Sequence, residues 1–262
     1  LKSGEVILHD WPVTPGQIPA YEHCLSAYKI ESDWIAFIDL DEFLFPTEKE
    51  DLKEVLKEFD GVVGVGDNQL FFGSSGHEVR PEGLQIEHFT KRAADNFDSN
   101  KYVKSIVRTE QVLRPSCPHF FIPISKDTFS VTENREPLSS SIAQKTSVQK
   151  LRINHYYTKS QEEMKLKLIR GWACGVENPR TWLHWEYHDR NEVEDLTIQR
   201  FIPKLRQAVD SVISQSRIAQ ILTQYWHLQS KLYQMQIKLE ESQRKLNLNS
   251  EDFEPLTARS QQ

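Results

Sequence analysis

The densest apolar run in the chain is Trp34-Ile-Ala-Phe-Ile, and it ends in three carboxylates within four residues, Asp39, Asp41 and Glu42, before Phe43-Leu-Phe-Pro46. A run without polar alternation predicts a strand buried on both faces, as in a parallel sheet. Upstream, residues 5–9 read as a short strand, followed by a loop with Pro12, Pro15, Gly16 and Pro19. Ala20, Tyr21, Cys24, Leu25 and Tyr28 then fall at helical spacing. Downstream, Thr47-Glu-Lys-Glu50 has the form of a capping box, with Leu52, Val55, Leu56 and Phe59 on one helical face behind it. Strand, acidic loop and helix in that order make an α/β unit.

Between residues 61 and 153 the pattern turns β-rich, with strands expected over 62–72, 84–89, 102–107 and 120–124. Two polar loops, 92–101 and 132–149, interrupt them, and loops of that length beside a sheet suit acceptors or partners. Residues 151–154 read as another strand. A second capping box, Ser160-Gln-Glu-Glu163, opens a helix through Arg170 that Gly171 ends. In the tail, Ile218, Ile221, Tyr225, Leu228, Leu232, Met235, Leu239, Ser242 and Leu246 follow an alternating three-four spacing. That seam favours a coiled coil or helical hairpin, with a homo-oligomer through it weighed evenly against one amphipathic helix lying on its own domain. The expected division is a catalytic-type domain over 1–200, a helical tail over 201–248 and a disordered terminus over 249–262.

Composition narrows the function classes. A formal net charge of -6 over 262 residues leaves no dominant basic surface for nucleic acid. No apolar stretch has the length of a membrane span, and no signal peptide opens the chain. Cys24, Cys117 and Cys174 form no C-x-x-C pair, which argues against a thiolate zinc site or a disulfide framework. A cytoplasmic setting is expected, with peripheral attachment to a membrane left open. The chain begins at Leu1, so a fragment or an unusual start codon is also expected.

Carboxylates clustered at the carboxyl end of a buried strand are costly unless something positive sits among them. In open α/β sheets ligands bind at those ends, so a divalent cation carrying a phosphorylated substrate is the natural occupant. On an extended segment Asp39 and Asp41 would point the same way and suit Mn²⁺ or Mg²⁺. The competing structural reading has the acids capping the next helix, a role that fits Glu42 best. His155, at another strand end before Tyr156-Tyr157, could add a neutral imidazole. Lys159, Lys165, Lys167 and Arg170 follow it near a capped helix start and would suit a diphosphate, although each alone reads equally well as a solvated helix face.

Five blocks in order resemble glycosyltransferase family 92, a GT-A branch related to family 2. They are Gln17-Ile-Pro-Ala-Tyr21-Glu-His23-Cys24; Trp34 through Leu44; Phe71-Phe72-Gly73-Ser74-Ser75-Gly76-His77; Lys104-Ser105-Ile106-Val107-Arg108; and Asn154-His155-Tyr156-Tyr157-Thr158-Lys159-Ser160, continuing to Lys167 and Arg170-Gly171. The likeness covers residues 5–195. It implies a GT-A-like mixed sheet flanked by helices, N-terminally truncated, with a long C-terminal helix. It also implies transfer of a sugar, often galactose, from a nucleotide-diphosphate donor to a glycan or other hydroxyl acceptor with inversion.

By the same resemblance Asp41 would bind the metal, Asp39 the ribose or the metal, and His155 would be the third ligand. Gln17, Lys104, Lys159, Lys167 and Arg170 would contact the donor. Glu78 and His77, with Glu87 as another option, are candidates for the base that deprotonates the acceptor. One departure stands out: the strand-helix-strand units that hold the nucleotide in this family would precede Leu1. Two other readings therefore stay open, a non-catalytic scaffold built on a partial core and a metal-dependent phosphohydrolase.

Overall fold

The computed structural model describes residues 6–11, 15–173, 180–214 and 218–251. They fall into two compact units, Leu1–Ile202 and Pro203–Gln262. In the first, helix α1 (Gln17–Tyr28) leads to β1 (Trp34–Ala36), then β2 (Glu42–Pro46), α2 (Leu52–Leu56) and β3 (Gly64–Phe71). A short helix α3 (Gln85–His88), strand β4 (Lys91–Arg92), β5 (Val103–Arg108) and the hairpin β6 (Val112–Cys117) and β7 (Phe120–Pro123) follow. Next come β8 (Ser130–Thr132), β9 (Pro137–Leu138), β10 (Leu151–His155), α4 (Gln161–Arg170), α5 (Trp182–His188) and β11 (Val193–Glu194).

The main sheet is mixed, of the GT-A-like α/β kind, with order β1-β5-β3-β10-β2 and β8–β9 added beside β3. β3 runs parallel to β10 and β8, while β5 is antiparallel to both β1 and β3. β1, β3 and β10 therefore point the same way, and their carboxyl ends share one rim. Neighbours on β5 face opposite sides, as strand geometry requires. Ile106 joins Val65, Leu151 and the α2 residues Val55 and Leu56, whereas Val107 joins Leu25 of α1 with Val112 and Phe121 of the hairpin. On the α2 side the cross-strand pairs change from Val65–Ile106 to Asp67–Lys104 toward the rim. An apolar floor thus gives way to a polar end.

Several local expectations are corrected. The acidic run is not one long buried strand in a parallel sheet. β1 is three half-buried residues on one sheet edge, β2 lies on the opposite edge, and residues 37–41 cross the rim between them. Val6–His9 form no strand. Residues 84–89 contain the helix α3, because Glu87 folds back to accept the Leu84 amide. Helix α2 starts later than the Thr47 box: Asp51 is its cap and accepts from the Lys53 amide at 2.8 Å, while Thr47 instead hydrogen-bonds the Gln149 carbonyl.

The loop after Thr132 is anchored by the buried Glu133, whose carboxylate accepts the Gln149, Lys150 and Leu151 amides and the Ser147 hydroxyl. Gly73 sits where a Cβ would run into the Arg190 carbonyl. The Ser74 and Ser75 amides there donate to Asp189 and Asn191, which pins the loop after β3. The Ser160 box caps α4 as its sequence indicates, and Gly171 follows the helix at φ +74°.

The second unit consists of α6 (Ile202–Ser214) and α7 (Ile218–Glu251). α7 runs through Asn249–Glu251, where the sequence suggests disorder, and residues 252–262 lie outside the described residues. Among the described residues no helix is long and apolar enough to cross a membrane. Cys24 and Cys117 are free thiols, and Cys174 lies outside the described residues.

Candidate functional site

Because residues 37–41 leave the sheet as an extended segment and a turn, Asp39 and Asp41 share no side-chain partner. Leu40 between them is fully exposed. Asp39 is held from two elements. Gln17 at the start of α1 donates to its Oδ1 at 2.7 Å, with the Tyr21 hydroxyl at 3.5 Å, and Lys104 of β5 donates to Oδ2 at 2.9 Å. Lys104 itself is 1 % exposed and lies 3.4 Å from Glu42. Glu42, the first residue of β2, accepts the Asp39 amide at 2.9 Å and shows no side-chain exposure. Burial pushes its carboxyl up to about 7 against the pull of Lys104, with Asp39 adding to the rise. Tyr21 is pushed up to about 12, mainly by burial.

Asp41 belongs to a second group, which meets the first through Glu42, whose Oε1 lies 3.6 Å from His155 Nδ1. Its Oδ2 takes a 2.7 Å bond from Lys167 of α4, and its Oδ1 faces His155 Nε2 at 3.7 Å. His155 ends β10, opposite Glu42 on β2. Its Nδ1 is 2.6 Å from the Gln69 side-chain oxygen. That oxygen can only accept, so Nδ1 carries the proton and Nε2 keeps its lone pair toward Asp41. Burial opposes charge on Asp41, but it is outweighed by the pull of His155 whenever that ring is protonated and of the Lys167 ammonium throughout, which together hold the carboxyl below its usual range. Burial also holds His155 well below its ordinary value despite Asp41. An ionised carboxylate thus faces a neutral imidazole across a gap too long for a hydrogen bond.

These two donors fit an oxygen- and nitrogen-seeking cation. Asp39 does not complete the set as arranged, since both its oxygens are already bonded. Among the described residues no three His, Cys, Asp or Glu side chains form a preformed cation cage. Of the expected cations, Lys167 reaches the group, and its ammonium also sits 4.1 Å over the Tyr157 ring. Lys159 bears on Asp41 by its charge and adopts φ +52°, left-handed for a non-glycine residue. Lys165 and Arg170 lie on the exposed side of α4.

His77 and Glu78 lie in the pinned loop after β3. His77 contacts the His88 carbonyl and the Phe89 ring, Glu78 is exposed, and Glu87 caps α3. No contact described for them is shared with Asp39 or Asp41. Residues that sequence reasoning passed over include Gln69, Tyr21 and Arg180, whose guanidinium lies 3.9 Å from the Trp172 ring centre and 5.7 Å from that of Tyr157. Gln69 carries a signal in retrospect, as the last of three consecutive polar residues, Asp67-Asn68-Gln69, inside the fully buried strand β3.

Residues 1–194, about three quarters of the chain, match the sequence profile of glycosyltransferase family 92. The chain belongs to glycosyltransferase family 92. A family 92 protein of Caenorhabditis elegans is 33% identical over 101 residues, covering 38% of this chain and 19% of that protein. A rice relative from Oryza sativa subsp. japonica is 30% identical over 109 residues, covering 40% of this chain and 18% of its own length. The matched part of this family 92 chain thus spans about a fifth of these relatives. The profile ends before α6, so both acidic groups lie inside the matched region and the α7 seam lies beyond it.

Proposed function

We propose that this chain carries the metal and diphosphate part of a nucleotide-sugar glycosyltransferase that moves a hexose, galactose being the expected one, to a glycan or other hydroxyl acceptor with inversion. The observation that carries the reading is the Asp41–His155 pair, an anionic oxygen and a neutral nitrogen aimed at each other beside Lys167. In this reading Asp41 and His155 hold Mn²⁺ or Mg²⁺, which when bound would act as a Lewis acid on the diphosphate. Lys167 and Lys159 supply positive charge next to the leaving group. Asp39, fixed by Gln17 and Lys104, presents a carboxylate edge to the ribose. His77 or Glu78 would take the acceptor's proton, since Glu42 is sealed from solvent and cannot reach an acceptor.

The test uses the full-length protein with a panel of UDP-sugars, with and without Mn²⁺ and with a chelator. Donor turnover that needs both metal and acceptor supports the reading. Release of free sugar or phosphate at the same rate without acceptor would favour the phosphohydrolase. No turnover with any donor would leave the scaffold reading. We also propose that the chain self-associates through α7, whose seam residues Ile221, Tyr225, Leu228, Leu232, Met235 and Leu239 are between 50% and 70% exposed.

A further inference from the structure

The α7 seam runs in a strict three-four alternation, with Leu222, Trp226 and Tyr233 widening the apolar face toward its amino end and Ile237 on the outer side. Assigning Ile218, Tyr225, Leu232, Leu239 and Leu246 to heptad position a places Ile221, Leu228, Met235 and Ser242 at d. The flanking positions are of unequal kind: g holds Gln224, Lys231, Lys238 and Lys245, and e holds Leu222 followed by Gln229, Gln236 and Gln243. From Gln229 onward the seam is confined to a and d between polar e and g positions, the narrow seam of a coiled coil, and those polar flanks favour two strands over larger bundles. A single helix of this kind leaves apolar side chains in water that only another helix with the same spacing can cover well.

The flanks also decide direction. In a parallel pair each g residue faces the e residue five positions later on its partner, so Lys231 meets Gln236 and Lys238 meets Gln243. In an antiparallel pair g faces g, which would set lysines against lysines along one side of the seam. We infer that α7 joins a second copy of this chain as a parallel, in-register two-stranded coiled coil. This deepens the self-association proposed above and is independent of the transferase reading. Ser242 then faces its own copy across the seam. In the single chain its hydroxyl donates back to the Lys238 carbonyl at 2.7 Å, so it is satisfied without a cross-seam partner.

Three measurements on the full chain test the inference. Sedimentation equilibrium between about 5 and 200 µM is expected to give twice the 30.6 kDa monomer mass, and Leu232→Lys with Leu239→Lys should return it to a monomer. Wild type that stays monomeric, or that settles as a trimer, overturns the two-stranded dimer. For direction, Gln236→Glu with Gln243→Glu adds Lys–Glu pairs only in the parallel arrangement. The dissociation constant should fall roughly three- to tenfold at low salt, with the gain lost at 1 M salt. Weaker association of this variant contradicts the parallel pairing, because an antiparallel seam would oppose the new carboxylates. Mild oxidation of Ser242→Cys should give a covalent dimer faster than Ser230→Cys, which lies on the outer f position. Equal rates contradict the register.

Discussion

Asp39 and Asp41 stand two residues apart on one crossing segment, yet their carboxylates have different side-chain partners, and the two groups meet through Glu42. The Asp39 side is closed in its bonding, although its side chain is 37% exposed against 16% for Asp41: Gln17, Tyr21 and the buried Lys104 engage both carboxylate oxygens, and the neighbouring Glu42 is sealed. The Asp41 side is open in its chemistry, with one oxygen on Lys167 and the other facing an imidazole that has no proton to give it. Spacing alone says that a D-x-D pair converges. The turn at Leu40 and Asp41 separates the two acids, so one is tied to Gln17 and Lys104 and the other faces Lys167 and the His155 ring.

Breaking the closed side should cost stability before anything else. Lys104→Met keeps the volume but leaves Asp39 and Glu42 without their shared cation. A loss of about 3 kcal/mol in chemical denaturation is expected, whereas Lys167→Met, nearer solvent, should cost no more than about half of that. Equal losses would erase the distinction between the two sides.

The closed side also sets a pH dependence. Glu42 has a folded value of about 7, above its ordinary 4.5, so the folded chain binds that proton more tightly than the unfolded chain. Its contribution is fully present below about 4.5 and is lost as pH rises through 7, by roughly 3 kcal/mol at most. Asp41 has the opposite sign: its contribution holds above its usual range and disappears only in strong acid. His119, His155 and His188 are all held below their ordinary values and add stability as pH rises through the same interval, so the Glu42 contribution is read as a difference. In thermal or urea unfolding, the stability of wild type relative to Glu42→Gln should fall from pH 5 to 8. A difference that rises over this interval would refute the protonated Glu42.

A smaller effect is expected from Gln69. Gln69→Leu frees the His155 ring to change tautomer and turn, and Mn²⁺ affinity should drop about tenfold. The ¹⁵N shifts of His155 should move from a protonated Nδ1 toward mixed tautomers. Unchanged shifts would show that Gln69 does not orient the ring.

Much of this frame was legible in the chain. The α1 spacing, the β3 and β10 runs, and the Ser160 box with Gly171 all follow local rules that tertiary structure left intact. The site's place at the carboxyl ends of β1, β3 and β10 follows from the apolar run and the acids after it. Other parts depend on distant partners. Lys104 reads as one more charge on a strand until β1 and the 37–41 crossing bring Asp39 and Glu42 onto it. Residues 84–89 have the composition of a short strand, and only the Glu87 turn makes them helical. β7 falls within the strand expected over 120–124, but its partner β6 hides behind Pro115 and two register shifts, which weaken the alternation that marks a strand. Asp51 displaced Thr47 as the α2 cap because Thr47 is engaged by Gln149, a residue far along the chain.

The division of labour between the two aspartates is tested most directly by Mn²⁺ binding, read from the loss of the free-ion electron paramagnetic resonance signal. Wild type, Asp39→Asn and Asp41→Asn of the full-length protein would be titrated side by side with UDP present. Asp41→Asn should weaken binding about a hundredfold and Asp39→Asn less than tenfold. Equal losses in the two variants, or undiminished binding in Asp41→Asn, would contradict the assignment.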